Sequence, residues 1–111
     1  MHWPLLRVAV AERSMLPTLR PGDWLLVLRT RRVCPGRLVV ARHPTRPTLL
    51  LVKRAVRREP GGWWLQSDSL DGGAVDSRAF GPVPPALIEG MVLLRYRRAR
   101  PTPDSPRPRR R

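Results

Sequence analysis

Thr48-Leu49-Leu50-Leu51-Val52-Lys53-Arg54-Ala55-Val56-Arg57-Arg58-Glu59-Pro60-Gly61-Gly62-Trp63-Trp64-Leu65-Gln66 is the stretch that decides the fold. It is rich in Leu and Val, broken only by Glu59-Pro60-Gly61-Gly62, and too short on either side of that break for a globular helix. It predicts a long strand over 48–58, a hairpin turn at Glu59–Gly62 and a partner strand over 63–66. Outward from this hairpin the chain repeats the same grammar. Leu5–Val10, Asp23–Arg29, Arg37–Arg42 and Gly90–Arg97 are apolar runs of strand length. Pro21-Gly22-Asp23 and Pro35-Gly36-Arg37 are the turns that set up the second and third strands. The expectation is a mainly β domain with little helix, a small coiled barrel or half-barrel. Pro85–Glu89 supplies at most one helical turn, and Ser67–Pro85 reads as a long irregular segment.

The chain has 111 residues, of which 41% are hydrophobic, enough for one modest core. We take residues 1–98 as the domain. Residues 99–111, rich in Pro and Arg, form a low-complexity tail expected to be disordered. The formal net charge is +14, but Arg95–Arg111 alone holds eight arginines against Asp104. The rest is dispersed, so nucleic acid is expected only as a non-specific partner of the tail. No apolar run reaches spanning length and the N-terminus lacks a leader's apolar core. No integral membrane anchor and a cytoplasmic location are therefore expected. Cys34 is the sole cysteine, set in a turn, and an incidental role is expected for it. Two dispersed histidines and one cysteine match no zinc spacing, so neither metal nor other cofactor is expected.

Lys53 is the only lysine; the other 21 of the 22 basic residues are arginines. Strand alternation puts Leu49, Leu51, Lys53 and Ala55 on one face and Arg54 on the other. A lysine on an apolar face loses hydration, which favours its neutral form and makes it a base for a hydroxyl. The plainer alternative is an edge lysine whose stem covers the leucines while its head reaches water. Ser14, in Ser14-Met15-Leu16-Pro17-Thr18-Leu19-Arg20-Pro21-Gly22-Asp23, stands at the end of the first strand, where its Oγ can project from the sheet. Its plainer role is the cap of a helical turn. A triad of serine, His43 and one of Asp68, Asp71 or Asp76 is a further arrangement. In Asp76-Ser77-Arg78-Ala79-Phe80-Gly81-Pro82-Val83, Asp76 and Arg78 are expected to pair and pin the long segment to the sheet.

These three motifs, in this order, resemble the type I signal peptidase family, from about Val8 to Tyr96. The resemblance implies Ser14 as nucleophile and Lys53 as general base, on a coiled β-fold. Met15, Ser67 and Ser69 are expected to support the site and its oxyanion, and Asp76 and Arg78 to brace it. Glu12 and Arg13 stand where many members carry a hydroxyl donor and a glycine, Ala74 where many carry a serine, and Ser67-Asp68-Ser69 where Gly-Asp-Asn is common. The chain is most similar to the compact maturation proteases of nickel-type superoxide dismutase. That implies a protein substrate with an N-terminal leader or propeptide, the dismutase precursor in particular. General processing of exported precursors, a basic module that binds polyanions, and a self-cleaving repressor-type peptidase are the alternatives. The last needs a DNA-binding segment or an internal cleavage site, and neither is visible in the sequence.

Overall fold

The computed structural model describes residues 4–69 and 75–97. Six strands form one antiparallel sheet: β1 Leu5–Ala9, β2 Trp24–Leu28, β3 Leu38–Arg42, β4 Leu50–Glu59, β5 Gly62–Gln66 and β6 Ile88–Arg97. Their order across the sheet is β1-β2-β6-β3-β4-β5, so the last strand inserts between the second and third. This is the mainly β architecture expected from the apolar runs. The strand bounds move by one or two residues; Asp23 and Arg37 close the flanking turns through their N–H groups, to the Arg20 and Cys34 carbonyls. The tail assigned to 99–111 lies outside the described residues, as does Ala74.

Tight turns are carried by glycine where the backbone demands it. Gly61 and Gly62 adopt φ of 94° and 145° in the β4–β5 hairpin. Gly90 is required for another reason: a Cβ there would sit 2.4 Å from the Leu28 carbonyl oxygen and 2.6 Å from Val27 Cγ1. The strand registers of β6 shift against both neighbours, which coils the sheet.

Because the sheet coils, apolar residues gather in two clusters. Val8, Val10, Met15, Leu19, Leu25, Val27, Val40 and Val92 form one. Val39, Ala41, Ala55, Trp63, Leu65, Val83 and Ile88 form the other. Adjacent Val39 and Val40 are both fully buried, one in each cluster, so β3 is covered on both faces.

Between β5 and β6 the chain carries a four-residue helix, α1 Ser77–Phe80, and a 3₁₀ turn at Pro85–Leu87. The 3₁₀ turn falls where one helical turn was expected. The helix α1 corrects the reading of that stretch as wholly irregular. It is too short to show a hydrophobic period, and it exists because Asp76 caps it by accepting the Arg78 N–H at 3.0 Å. A bridge between Trp63 and Val83 fastens this segment to the edge of β5.

The sheet stays open among the described residues. β1 pairs only with β2, and β4 pairs with β5 only from Arg54 onward. The first half of β4 thus keeps a free edge, and it faces β1 across a groove of about 410 Å³ lined by residues 6–12 and 48–53. No helix among the described residues is long and apolar enough to cross a membrane.

Candidate active site

Ser14 and Lys53, 39 positions apart in sequence, meet at the mouth of this groove. Lys53 Nζ lies 2.7 Å from Ser14 Oγ. Each is held from below. The residue after Ser14 is Met15, 1% exposed, and Leu19 is 3% exposed; both anchor the turn in the first cluster. The Leu19 N–H donates to the Met15 carbonyl at 2.8 Å, and the Leu16 N–H to the Arg13 carbonyl at 3.1 Å. This winds the segment into turns, so Ser14 is the entry to a tight turn and no helix follows it.

Alternation on β4 runs as expected: Leu51, Lys53 and Ala55 are buried while Val52 and Arg54 face the other way. Lys53 is 3% exposed, so its head does not reach bulk water. Burial lowers its pKa below the ordinary 10.5, and the Arg78 charge acts in the same direction. The Asp76 and Glu12 charges oppose that shift without cancelling it.

The second contact of the amine is Ser67 Oγ at 2.9 Å. Of the two serines expected to support the site, Ser67 reaches the lysine, just past the end of β5. Ser69 is buried and meets the site through its backbone N–H, which donates to the Ser14 carbonyl at 2.9 Å. Between them the Asp68 N–H rests on Met15 Sδ at 3.3 Å. Asp68 and Ser69 therefore bind the β5 end to the Ser14 turn, while Ser67 binds it to Lys53.

Asp76 supports this from behind. Its carboxylate, fully buried, accepts the Ser67 N–H at 2.8 Å and the Arg78 guanidinium at 2.7 and 3.1 Å. Burial alone would raise its pKa, but Arg78 and the two backbone N–H groups outweigh it and hold the carboxyl at about 2. Ser77 Oγ accepts the Leu65 N–H at 2.8 Å, a parallel tie to the same strand.

One element of the site was not singled out from sequence. Arg54, behind Lys53, makes a forked pair with Asp68 at 2.6 and 3.0 Å, and Thr18 Oγ donates to the same carboxylate at 2.6 Å. Burial pushes Asp68 up, while Arg54 and Thr18 bring it below its usual value overall. This clamp joins the first motif to β4 and β5. Its only trace in sequence is the arginine next to the lysine.

His43 lines a second hollow that also reaches Ser14 and Lys53, but its Nδ1 accepts the Thr45 N–H at 3.2 Å and its ring packs edge-on to Phe80. Asp68 and Asp76 are committed to Arg54 and Arg78, so neither orients this histidine; Asp71 lies outside the described residues. Cys34 is exposed in its turn. No cluster of three or more His, Cys, Asp or Glu side chains suited to a metal occurs among the described residues.

A buried lysine held between two serines, over an open groove in a coiled antiparallel sheet, defines a hydrolase-like site in a β-fold. The chain belongs to the Peptidase S24-like family, whose model matches residues 4–77. It is 34% identical over 106 residues to mitochondrial inner membrane protease subunit 1 of Xenopus tropicalis, covering 74% of this chain and 63% of that protein. It is also 35% identical over 109 residues to mitochondrial ATP-independent inner membrane protease subunit 1a of Arabidopsis thaliana, covering 74% of this chain and 64% of that protein. The chain thus spans less than two thirds of the length of these relatives. The signal-peptidase-like resemblance read from the three motifs agrees with this family.

Proposed function

We propose that this protein is a serine endopeptidase in which Ser14 is the nucleophile and Lys53 the general base. The observation that carries this reading is the 2.7 Å approach of Nζ to Oγ at a lysine removed from solvent. A neutral amine has one lone pair. With one N–H given to Ser67 Oγ, that lone pair is free to accept the Ser14 hydroxyl proton across the 2.7 Å contact. As Oγ bonds to the scissile carbonyl carbon, its proton passes to Nζ. The C–N bond then breaks, and the Lys53 ammonium returns the proton to the leaving amine. Water, deprotonated by the same amine, hydrolyses the acyl-enzyme. The Ser14 backbone N–H, which donates to no other described residue, is the group available to the oxyanion.

An extended peptide suits the groove. It adds as a strand between the unpaired edge of β1 and the free first half of β4, whose carbonyl and N–H groups point into it. This favours removal of an unfolded N-terminal leader or propeptide. The narrower assignment, to the precursor of nickel superoxide dismutase in the cytoplasm, rests on the motif resemblance. A second substrate class, exported precursors, rests on the signal-peptidase-like resemblance; the matched relatives are named as inner membrane protease subunits, which favours a substrate presented at a membrane.

The test incubates purified protein with both precursor types and reads new N-termini by mass spectrometry, with Ser14→Ala as control. Cleavage at a leader junction by the active form alone is expected. Equal cleavage by Ser14→Ala would overturn the assignment of the nucleophile, and the junction cut would decide between the substrates.

A further inference from the structure

Glu12 stands apart from every other carboxylate of the described residues. Asp23, Glu59, Asp68, Asp76 and Glu89 are each paired with an arginine, while Glu12 has no ion-pair partner among the described residues. It is exposed, two residues before Ser14. It also lines both hollows that meet at the site: the groove between β1 and β4, and a cleft of about 420 Å³ on the side of His43 and Val75. Arg13 and Arg46 line the second of these and not the first; the arginine that lines the first, Arg7, lies over the Trp24 ring, 5.8 Å from its centroid, and makes no ion pair with Glu12 among the described residues.

Its chemistry makes this position costly unless something covers it. A carboxylate accepts hydrogen bonds and cannot donate one to an oxyanion. Set beside the carbonyl that Ser14 attacks, it repels the negative charge that develops there. Its charge also acts on Lys53 and favours the protonated amine, the wrong form for a base. A positive charge brought by the peptide removes both penalties at once. It also turns the one carboxylate left unpaired among the described residues into a charge-assisted contact.

We infer that Glu12 is a specificity-determining residue that selects substrates carrying arginine or lysine next to the scissile bond, on the side of the β1–β4 groove. This rests on the peptidase reading of the site, and it adds the charge of the substrate to it. The cationic residue contributes to turnover as well as to binding, because its benefit grows as the oxyanion forms.

The test profiles cleavage of a mixed peptide library by the wild type, Glu12→Gln and Glu12→Arg, reading the residues that flank each cut bond by mass spectrometry. The wild type is expected to enrich Arg and Lys about ten-fold at one flanking position, Glu12→Gln to lose that enrichment, and Glu12→Arg to enrich Asp and Glu there. Cleavage without a charge preference, or a preference that survives in Glu12→Gln, overturns the inference and leaves the peptidase standing. A second arm titrates two alanine-rich peptides, with arginine or glutamine at three positions, onto Ser14→Ala in the presence and absence of Glu12→Gln. Tighter binding of the arginine peptide that vanishes with Glu12→Gln supports the role of Glu12 even if no bond is ever cut. Equal binding of the two peptides counts against it.

Discussion

At the scale of the residue, the behaviour of the site depends on one amine. Among the 22 lysine and arginine side chains, Lys53 is the one that can exist neutral near physiological pH, because a guanidinium stays protonated. Lys53→Arg should therefore be as inactive as Lys53→Met, with turnover down by at least about a hundred-fold, the scale of general base catalysis. Appreciable turnover by purified Lys53→Arg would remove the amine as base and return attention to His43. The rate should rise with pH as Lys53 loses its proton, with a midpoint below 10.5. Asp76 and Glu12 hold the proton on, so Glu12→Gln should move that midpoint to lower pH, as initial rates across a buffer series will show. The same shift has a cost in stability. A lysine whose folded pKa lies below its unfolded value destabilises the fold at pH below both, and the penalty fades as pH rises through that interval. Lys53→Met should then unfold at a higher temperature than the wild type near neutral pH, and the difference should shrink in alkaline buffer. A lower midpoint for the variant would show that the two serine contacts outweigh desolvation.

At the scale of the element, the segment that follows β5 acts as a brace. Asp76 gives its carboxylate to Ser67, to Arg78 and to the cap of α1, and Ser67 in turn fixes the amine. Asp76→Ala leaves buried N–H groups without acceptors and should cost about 2–4 kcal/mol. Arg78→Ala should cost less, since the guanidinium is half-exposed. Thermal unfolding of both single variants and the double variant gives the coupling, and strictly additive effects would mean the pair does not interact. The sign of the acid dependence follows. With a folded pKa of about 2 against an ordinary 3.8, the contribution of Asp76 is complete above about pH 4 and is lost as pH falls towards 2. The wild type should lose stability across that interval more steeply than Asp76→Asn. Another element is fixed by space alone: Gly90→Ala drives a methyl into the Leu28 carbonyl, so β6 must shift against β2. Loss of soluble folded protein is expected, and a melting temperature like that of the wild type would mean the strands separate readily.

For the whole molecule, both apolar clusters are built from residues between Val8 and Val92, and the strands end at Arg97. Truncation after Ala99 should therefore leave the melting temperature and the cleavage rate close to those of the full chain. Adsorption to polyanions should fall, and for the full chain it should decline steeply with salt. A truncated protein that fails to fold would show that the tail belongs to the domain.

Much of this protein is written in its sequence, for reasons that can be located. The six strands follow from runs of Val and Leu bounded by Gly, Pro and Asp. The burial of Lys53 follows from period-two alternation with Leu51 and Ala55. The pairing of Asp76 with Arg78 is a contact over two residues, within reach of local reasoning. Tertiary structure decided what depends on distances across the coil of the sheet. Inserting β6 between β2 and β3 cannot be read from any local pattern, since it depends on which edges are left to pair. The clamp of Arg54 on Asp68 and Thr18 joins positions up to 50 apart, and only the approach of the β5 end to the Ser14 turn creates it. Ser67 and Ser69 are two positions apart and would share one face of a strand, so alternation does not separate them; Ser67 becomes the partner of the amine because the strand ends at Gln66 and the chain turns away after it. The unpaired state of Glu12 is likewise a property of the fold. Sequence proposes a carboxylate among many arginines, and only the arrangement of the other five pairs leaves this one open at the groove.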